Sequence, residues 1–124
     1  MTVSGPGQRF RPEDRVRRKA DFDEAYARGR RISSRLFTLI ACASGHGRPR
    51  LGVTISKKVG RAVVRNAVRR RIREVFRRNR NAFVSDIDII IHVRPAASQA
   101  SFKALEGEFL EALRRYGAAV SRRG

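Results

Sequence analysis

From residue 18 onward, apolar and polar positions alternate with two different periods. In "KADFDEAYARG" (19–29), Phe22, Ala25 and Tyr26 recur at helical spacing, and Gly29 stands where a C-terminal cap belongs. This predicts a short helix over about 18–28. "RRISSRLFTLIACASGHGRPR" (30–50) shifts to period two: Leu36, Thr38, Ile40 and Cys42 share one face, and Phe37, Leu39 and Ala41 the other. That is strand behaviour, with a first short strand predicted over 32–34 and a turn in "SGHGRP". "RLGVTIS" (50–56) is a β-branched strand, and Gly60 breaks the chain before a long helical stretch. "NRNAFVSD" (79–86) is a connector, "IDIIIHV" (87–93) a buried strand, and Pro95 ends it. In "ASFKALEGEFLEALRRYG" (100–117), Phe102, Leu105, Phe109, Leu113 and Tyr116 mark a last helix, with Gly117 as its stop. The order is α-β-β-β-α-β-α, an α+β domain with helices covering one sheet.

The long helix, "AVVRNAVRRRIREVFRRNR" (62–80), holds eight arginines and one acid, Glu74. On a helical wheel, Val68, Ile72 and Val75 gather around Val64, with Phe76 and Ala67 beside them. Arg65, Asn66, Arg69, Arg70, Arg73 and Arg77 occupy the opposite side, while Arg71 falls on the apolar side, its stem packed and its head in water. Like charges four apart repel by a few tenths of a kcal/mol per pair, so a merely solvated helix mixes signs. This one does not, and its cationic face is read as an interface. Guanidinium forks bind phosphate bidentately and stack on bases. Just before the helix, Ser56, Lys57 and Lys58 add to a helix N-terminus that favours anions.

Composition sharpens the reading. The chain has 124 residues, about one domain, with 29 Lys and Arg against 11 Asp and Glu, a net charge of +18. That field points first to nucleic acid, then to an anionic membrane surface, then to an acidic protein. No run is long and apolar enough to span a membrane, and the Gly-, Pro- and Arg-rich start reads as a flexible basic arm over 1–17 rather than a secretory signal. Residues 118–124 read as a basic tail. The single Cys42 in an apolar strand fits a small buried residue and a reducing cytoplasm.

Phe22, Tyr26 and Phe37 are candidate stacking surfaces for unpaired bases, set against the plainer reading that they are core. Asp86 and Asp88, two apart at a strand start, are a candidate Mg²⁺ pair, set against a structural role beside basic residues. His46 and His92 show no ligand or acid–base pattern. The residues alone therefore describe a binding protein without protein catalytic residues. A general RNA-binding or ribosomal protein and a major-groove DNA binder are the alternatives.

The stretch "ISKKVGRAVVRNAVRRRIREVFR" (55–77) closely resembles the signature of the bacterial ribonuclease P protein component: a strand ending in SKK, a Gly turn, then an Arg-Asn helix running into RE-x-F. "KADFDEAYARG", "RLFTLIA" and "DIDIIIHVRPAA" resemble the family's first helix, next strand and last strand with its turn. The likeness covers roughly 15–116. It implies a single domain over 18–117 with a four-stranded sheet and a left-handed β-α-β crossover, like the second domain of ribosomal protein S5, against the usual hand. It implies a catalytic RNA subunit, paired 1:1 with the protein, that cleaves precursor tRNA with Mg²⁺ held mainly by RNA. Matching positions imply that Lys57, Lys58, Arg65, Asn66, Arg69, Arg70, Arg73 and Arg77 bind RNA, and that Phe22, Tyr26, Phe37, Ile40 and Ser56 line a cleft for the 5′ leader. Two positions depart from the family pattern. Ala67 replaces the last basic residue of an Arg-Asn-Arg trio, and Ile40 stands where some relatives carry an aromatic.

Overall fold

The computed structural model describes residues 12–43, 47–80 and 86–120, with side chains as far as 117. The element order is the expected one: α1 (Lys19–Arg28), β1 (Arg30–Ser33), β2 (Phe37–Ala43), β3 (Arg50–Thr54), α2 (Ala62–Arg78), β4 (Ile87–Val93) and α3 (Phe102–Val120). The strands form one sheet in the order β1-β2-β4-β3. β1 pairs antiparallel with β2, β2 antiparallel with β4, and β3 parallel with β4. A parallel pair needs a long crossover, and α2 supplies it.

β4 is a central strand with helices over both sheet faces, which is why it reads as an unbroken apolar run. Its Ile87, Ile89, Ile91 and Val93 join Phe37, Leu39 and Ala41 of β2 in the main core, under Val68, Ile72, Val75 and Phe76 of α2 and Leu105, Phe109 and Ala112 of α3. The opposite face carries a smaller cluster in which α1 sets Ala25, Phe22 and Tyr26 over Ile40, Cys42 and Ile90.

Two glycines fix the joints. A Cβ on Gly52 would stand 2.9 Å from both Phe22 Cζ and Ile90 Cδ1, so only glycine lets α1 lie this close to β3. Gly60 has φ 154°, and a side chain there would also meet Val64 Cγ1 at 2.9 Å. It turns the chain out of the 3-10 turn Lys57–Val59 and into α2.

The structure corrects two boundaries. Part of the lead-in expected to be a flexible arm is docked: Val16 donates to the Leu51 carbonyl at 2.9 Å, and Arg15 bridges Leu51 in parallel at the outer edge of β3. This covers an otherwise open sheet edge. Residues 1–11 lie outside the described residues. At the other end, α3 passes through Gly117 to Val120. An interior glycine costs a helix only about 1 kcal/mol, and Ala118 and Ala119 beyond it favour continuation.

Candidate nucleic-acid interface

The eight arginines of 62–80 divide by what they touch. Arg70 and Asn66 are exposed and Arg65, Arg69 and Arg73 half-buried, all on the face turned from the sheet. Among the described residues no carboxylate pairs with Arg65, Arg69 or Arg70. Arg69 donates to Asn66 Oδ1 at 3.3 Å. Burial, and then the charges of Arg15 and Arg69, hold the Arg73 guanidinium below its ordinary pKa. Near the end of the helix the arginines are engaged internally. Arg77 makes a bidentate pair with Glu74, Nε to Oε1 at 3.0 Å and Nη2 to Oε2 at 2.6 Å. That bond pulls the Glu74 carboxyl below the usual range. Arg78 lies over the Phe102 ring, 5.2 Å from its centroid, and Arg80 reaches Asp14. Arg77 is thus placed on the predicted side but is already held by the one acid of its helix. Lys57 and Lys58 are exposed in the turn before α2, where Ser56 Oγ accepts from the Lys58 N–H at 3.3 Å. Arg71 is half-buried, and so is Ala67.

A second feature lies on the other face, beyond the end of α1. Ser33, Thr38, His92 and Thr54 form one row straight across the sheet, each the register partner of the next. The row before it (Ile40, Ile90, Gly52) is buried beneath α1, whereas His92 and Ser33 are exposed and Thr38 and Thr54 half-exposed. The Tyr26 hydroxyl hydrogen-bonds Thr54 Oγ1 at 3.2 Å, and the Arg31 guanidinium sits 5.7 Å from the Tyr26 ring centroid. The result is a polar floor with an aromatic wall and a cation at its rim.

Two residues expected to line this cleft do not. Phe37 is 1% exposed and faces the main core under α2 and α3, because alternation places it opposite Thr38. Ile40 is on the correct face but 0% exposed, fully covered by α1. Phe22 packs on Gly52 and Ile90 and is half-buried. Tyr26 alone of the aromatic trio keeps an edge on the open row. Ser56 is exposed just past the end of β3. Sequence reasoning missed Thr54, His92, Thr38 and Arg31 as floor and rim. Extending the period-two pattern across β3 and β4 was the signal that could have found them.

The carboxylates do not fit a magnesium site. Asp88 is 5% exposed and takes Arg50 Nε at 2.9 Å and Nη2 at 2.7 Å, with Asp21 3.4 Å from the same guanidinium. Asp86, in the left-handed region at φ 63°, accepts from the Gly47 N–H and so ties the β2–β3 turn to the start of β4. Among the described residues no three His, Cys, Asp or Glu gather to hold a metal. His46 lies outside those residues. Cys42 is buried, its thiol pushed up by burial, and Sγ donates to the Ala43 carbonyl at 3.4 Å. It is packing, not a nucleophile. No helix among the described residues is long and apolar enough to cross a membrane.

The fold and site define a small basic α+β domain whose β-α-β crossover helix turns a cationic face outward. The Ribonuclease P family model matches residues 10–117. The chain is 33% identical over 106 residues to the ribonuclease P protein component of Clostridium botulinum (strain 657 / Type Ba4), covering 85% of this chain and 96% of that one. It is 32% identical over 103 residues to that of Streptococcus agalactiae (strain NEM316), covering 83% and 94%. A Staphylococcus aureus RNase P protein superposes with a TM-score of 0.74 at 30% identity, covering 83% of this chain and 94% of that one. The Thermotoga maritima protein gives 0.74 at 28%, covering 82% and 96%. The chain belongs to the ribonuclease P protein family.

Proposed function

We propose that this chain is the RNA-binding subunit of ribonuclease P, working in the cytoplasm on the 5′ ends of precursor tRNA. The outward face of α2 binds the catalytic RNA. Arg65, Asn66, Arg69, Arg70 and Arg73 meet phosphates and base edges there, with Lys57 and Lys58 beside the start of the helix and Arg77 joining once Glu74 yields it. The open row of Ser33, Thr38, His92 and Thr54, walled by Tyr26, holds the single-stranded 5′ leader, its bases stacking on the tyrosine ring and bonding the floor. The candidate metal pair, Asp88 and Asp86, is committed to Arg50 and the β2–β3 turn, which fits a division in which RNA holds the Mg²⁺ and performs the hydrolysis. One protein per RNA subunit suits a single basic face.

The observation that carries this reading is the division of α2: its apolar seam is consumed by the core, while Arg65, Arg69 and Arg70 face away from it with no carboxylate paired to them among the described residues. A polyanion is the partner that cancels such a field. Bringing substrate RNA to catalytic RNA opposes two phosphate surfaces, and a cationic protein between them lowers the Mg²⁺ needed. The test is cleavage of a precursor tRNA by its RNA subunit at low Mg²⁺, with and without this protein. Enhancement specific to leader-bearing substrate supports the reading. Binding to RNA in general with no enhancement makes the chain a general RNA-binding protein instead.

A further inference from the structure

Asp14 is 0% exposed, and the two guanidinium groups bonded to it come from distant parts of the chain. Arg48 of the β2–β3 turn donates Nη2 to Oδ1 at 2.6 Å. Arg80, two residues past the end of α2, donates Nη1 to Oδ1 at 3.1 Å and Nη2 to Oδ2 at 3.2 Å, its guanidinium 5.5 Å from the Phe76 ring centroid. A buried carboxylate survives only when paired and hydrogen-bonded in this way. Two residues on, Val16 is buried and bonded to β3. Arg15 is pinned between these two anchors.

That placement sets cations from separate segments together. Arg73 of α2 feels both Arg15 and Arg69, which oppose its charge. Arg15, Arg17 and Arg18 also line a hollow of about 330 Å³ with Arg48 and Arg50, to which Glu13 and Asp21 add two carboxylates. The Asp14 clasp holds these cations together against that repulsion, and preorganisation of this kind strengthens binding by removing an ordering cost from the association step.

We propose that Asp14 is a positioning residue for RNA binding: by clasping Arg80, just past the end of α2, and Arg48, it holds Arg15 beside Arg73, so that the chain start and α2 grip the same stretch of RNA phosphate. This rests on the reading of α2 as the RNA-binding face. It adds a residue that touches no RNA itself, and a cation, Arg15, outside the helix.

The test uses the full chain and a transcribed ribonuclease P RNA, with affinity followed against salt concentration. Arg15→Gln lowers the log–log salt slope by roughly 0.7–0.9, the loss of one phosphate contact. Asp14→Asn lowers it equally, although it removes a negative charge and on simple charge counting should raise it. The double variant loses no more than either single one, because both remove the same contact. Arg80→Gln, whose side chain is only 12% exposed, breaks the clasp from the other side and decides the matter if Asp14→Asn does not fold. An unchanged slope in Arg15→Gln, an unchanged or raised slope in the clasp variants, or additive losses overturn the proposal. If the wild-type protein shows no salt-dependent affinity for the RNA, the RNA-binding reading falls and takes this with it. Wild-type affinity with an indifferent Arg15 removes the positioning role alone.

Discussion

The Tyr26 hydroxyl lies 3.2 Å from Thr54 Oγ1, joining α1 to β3 at the edge of the row that α1 leaves uncovered. Tyr26 therefore has one side in the small core and one side on the open floor. Tyr26→Ala is expected to weaken binding of leader-bearing precursor tRNA by about 1–3 kcal/mol, the worth of a base–aromatic stack, and to leave mature tRNA unaffected. Tyr26→Phe, which keeps the ring, should retain most of that affinity. Equal losses for both substrates would make Tyr26 a packing residue only.

Phe37 gives the opposite expectation. It is fully buried on the far face of the sheet, so Phe37→Ala should lower stability by about 3–5 kcal/mol in denaturant unfolding. Its folded fraction should bind the leader as the wild type does. A leader-specific defect in folded Phe37→Ala protein would contradict this placement.

On α2, Arg65→Ala and Arg69→Ala are each expected to lower the salt slope of RNA binding by roughly 0.7–0.9. Glu74→Gln should raise the slope, since it releases Arg77. The Glu74 carboxyl is depressed by its bond to Arg77, so the stabilisation from this pair is present above the ordinary carboxylate pKa and is lost as pH falls through the lowered value. Glu74→Gln should remove that component of acid sensitivity. An unchanged slope in Glu74→Gln would place Arg77 away from RNA.

Asp88→Asn leaves Arg50 without its buried partner and is expected to cost about 3–5 kcal/mol of stability. The Mg²⁺ concentration supporting half-maximal cleavage in the reconstituted enzyme should not move. A shift in that requirement would make Asp88 a metal ligand.

Local periodicity carried the element order, the seam of Val68, Ile72 and Val75, and the two faces of β2, because each depends on neighbours along the chain. Alternation sorts Phe37 and Ile40 onto opposite faces but does not reveal which layer covers each face, or how far α1 reaches. Their expected place in the cleft comes from the family resemblance, and the structure puts Phe37 in the main core and Ile40 under α1. Arg77 shares its wheel sector with Arg73, and only the side-chain geometry shows Glu74 holding it. The docking of Pro12–Val16 was not legible at all: the partners of Asp14 lie 34 and 66 residues away, and a Pro- and Arg-rich lead-in carries no period.

The central claim is that this protein serves a catalytic RNA by binding it and the leader of its substrate. Reconstituting a ribonuclease P RNA with and without the protein, and measuring single-turnover cleavage of precursor tRNA at low Mg²⁺, tests it most directly. Faster cleavage with protein is expected, an advantage that shrinks as Mg²⁺ rises and that falls in Tyr26→Ala and Arg65→Ala. Cleavage unchanged by protein at every Mg²⁺ concentration would contradict it.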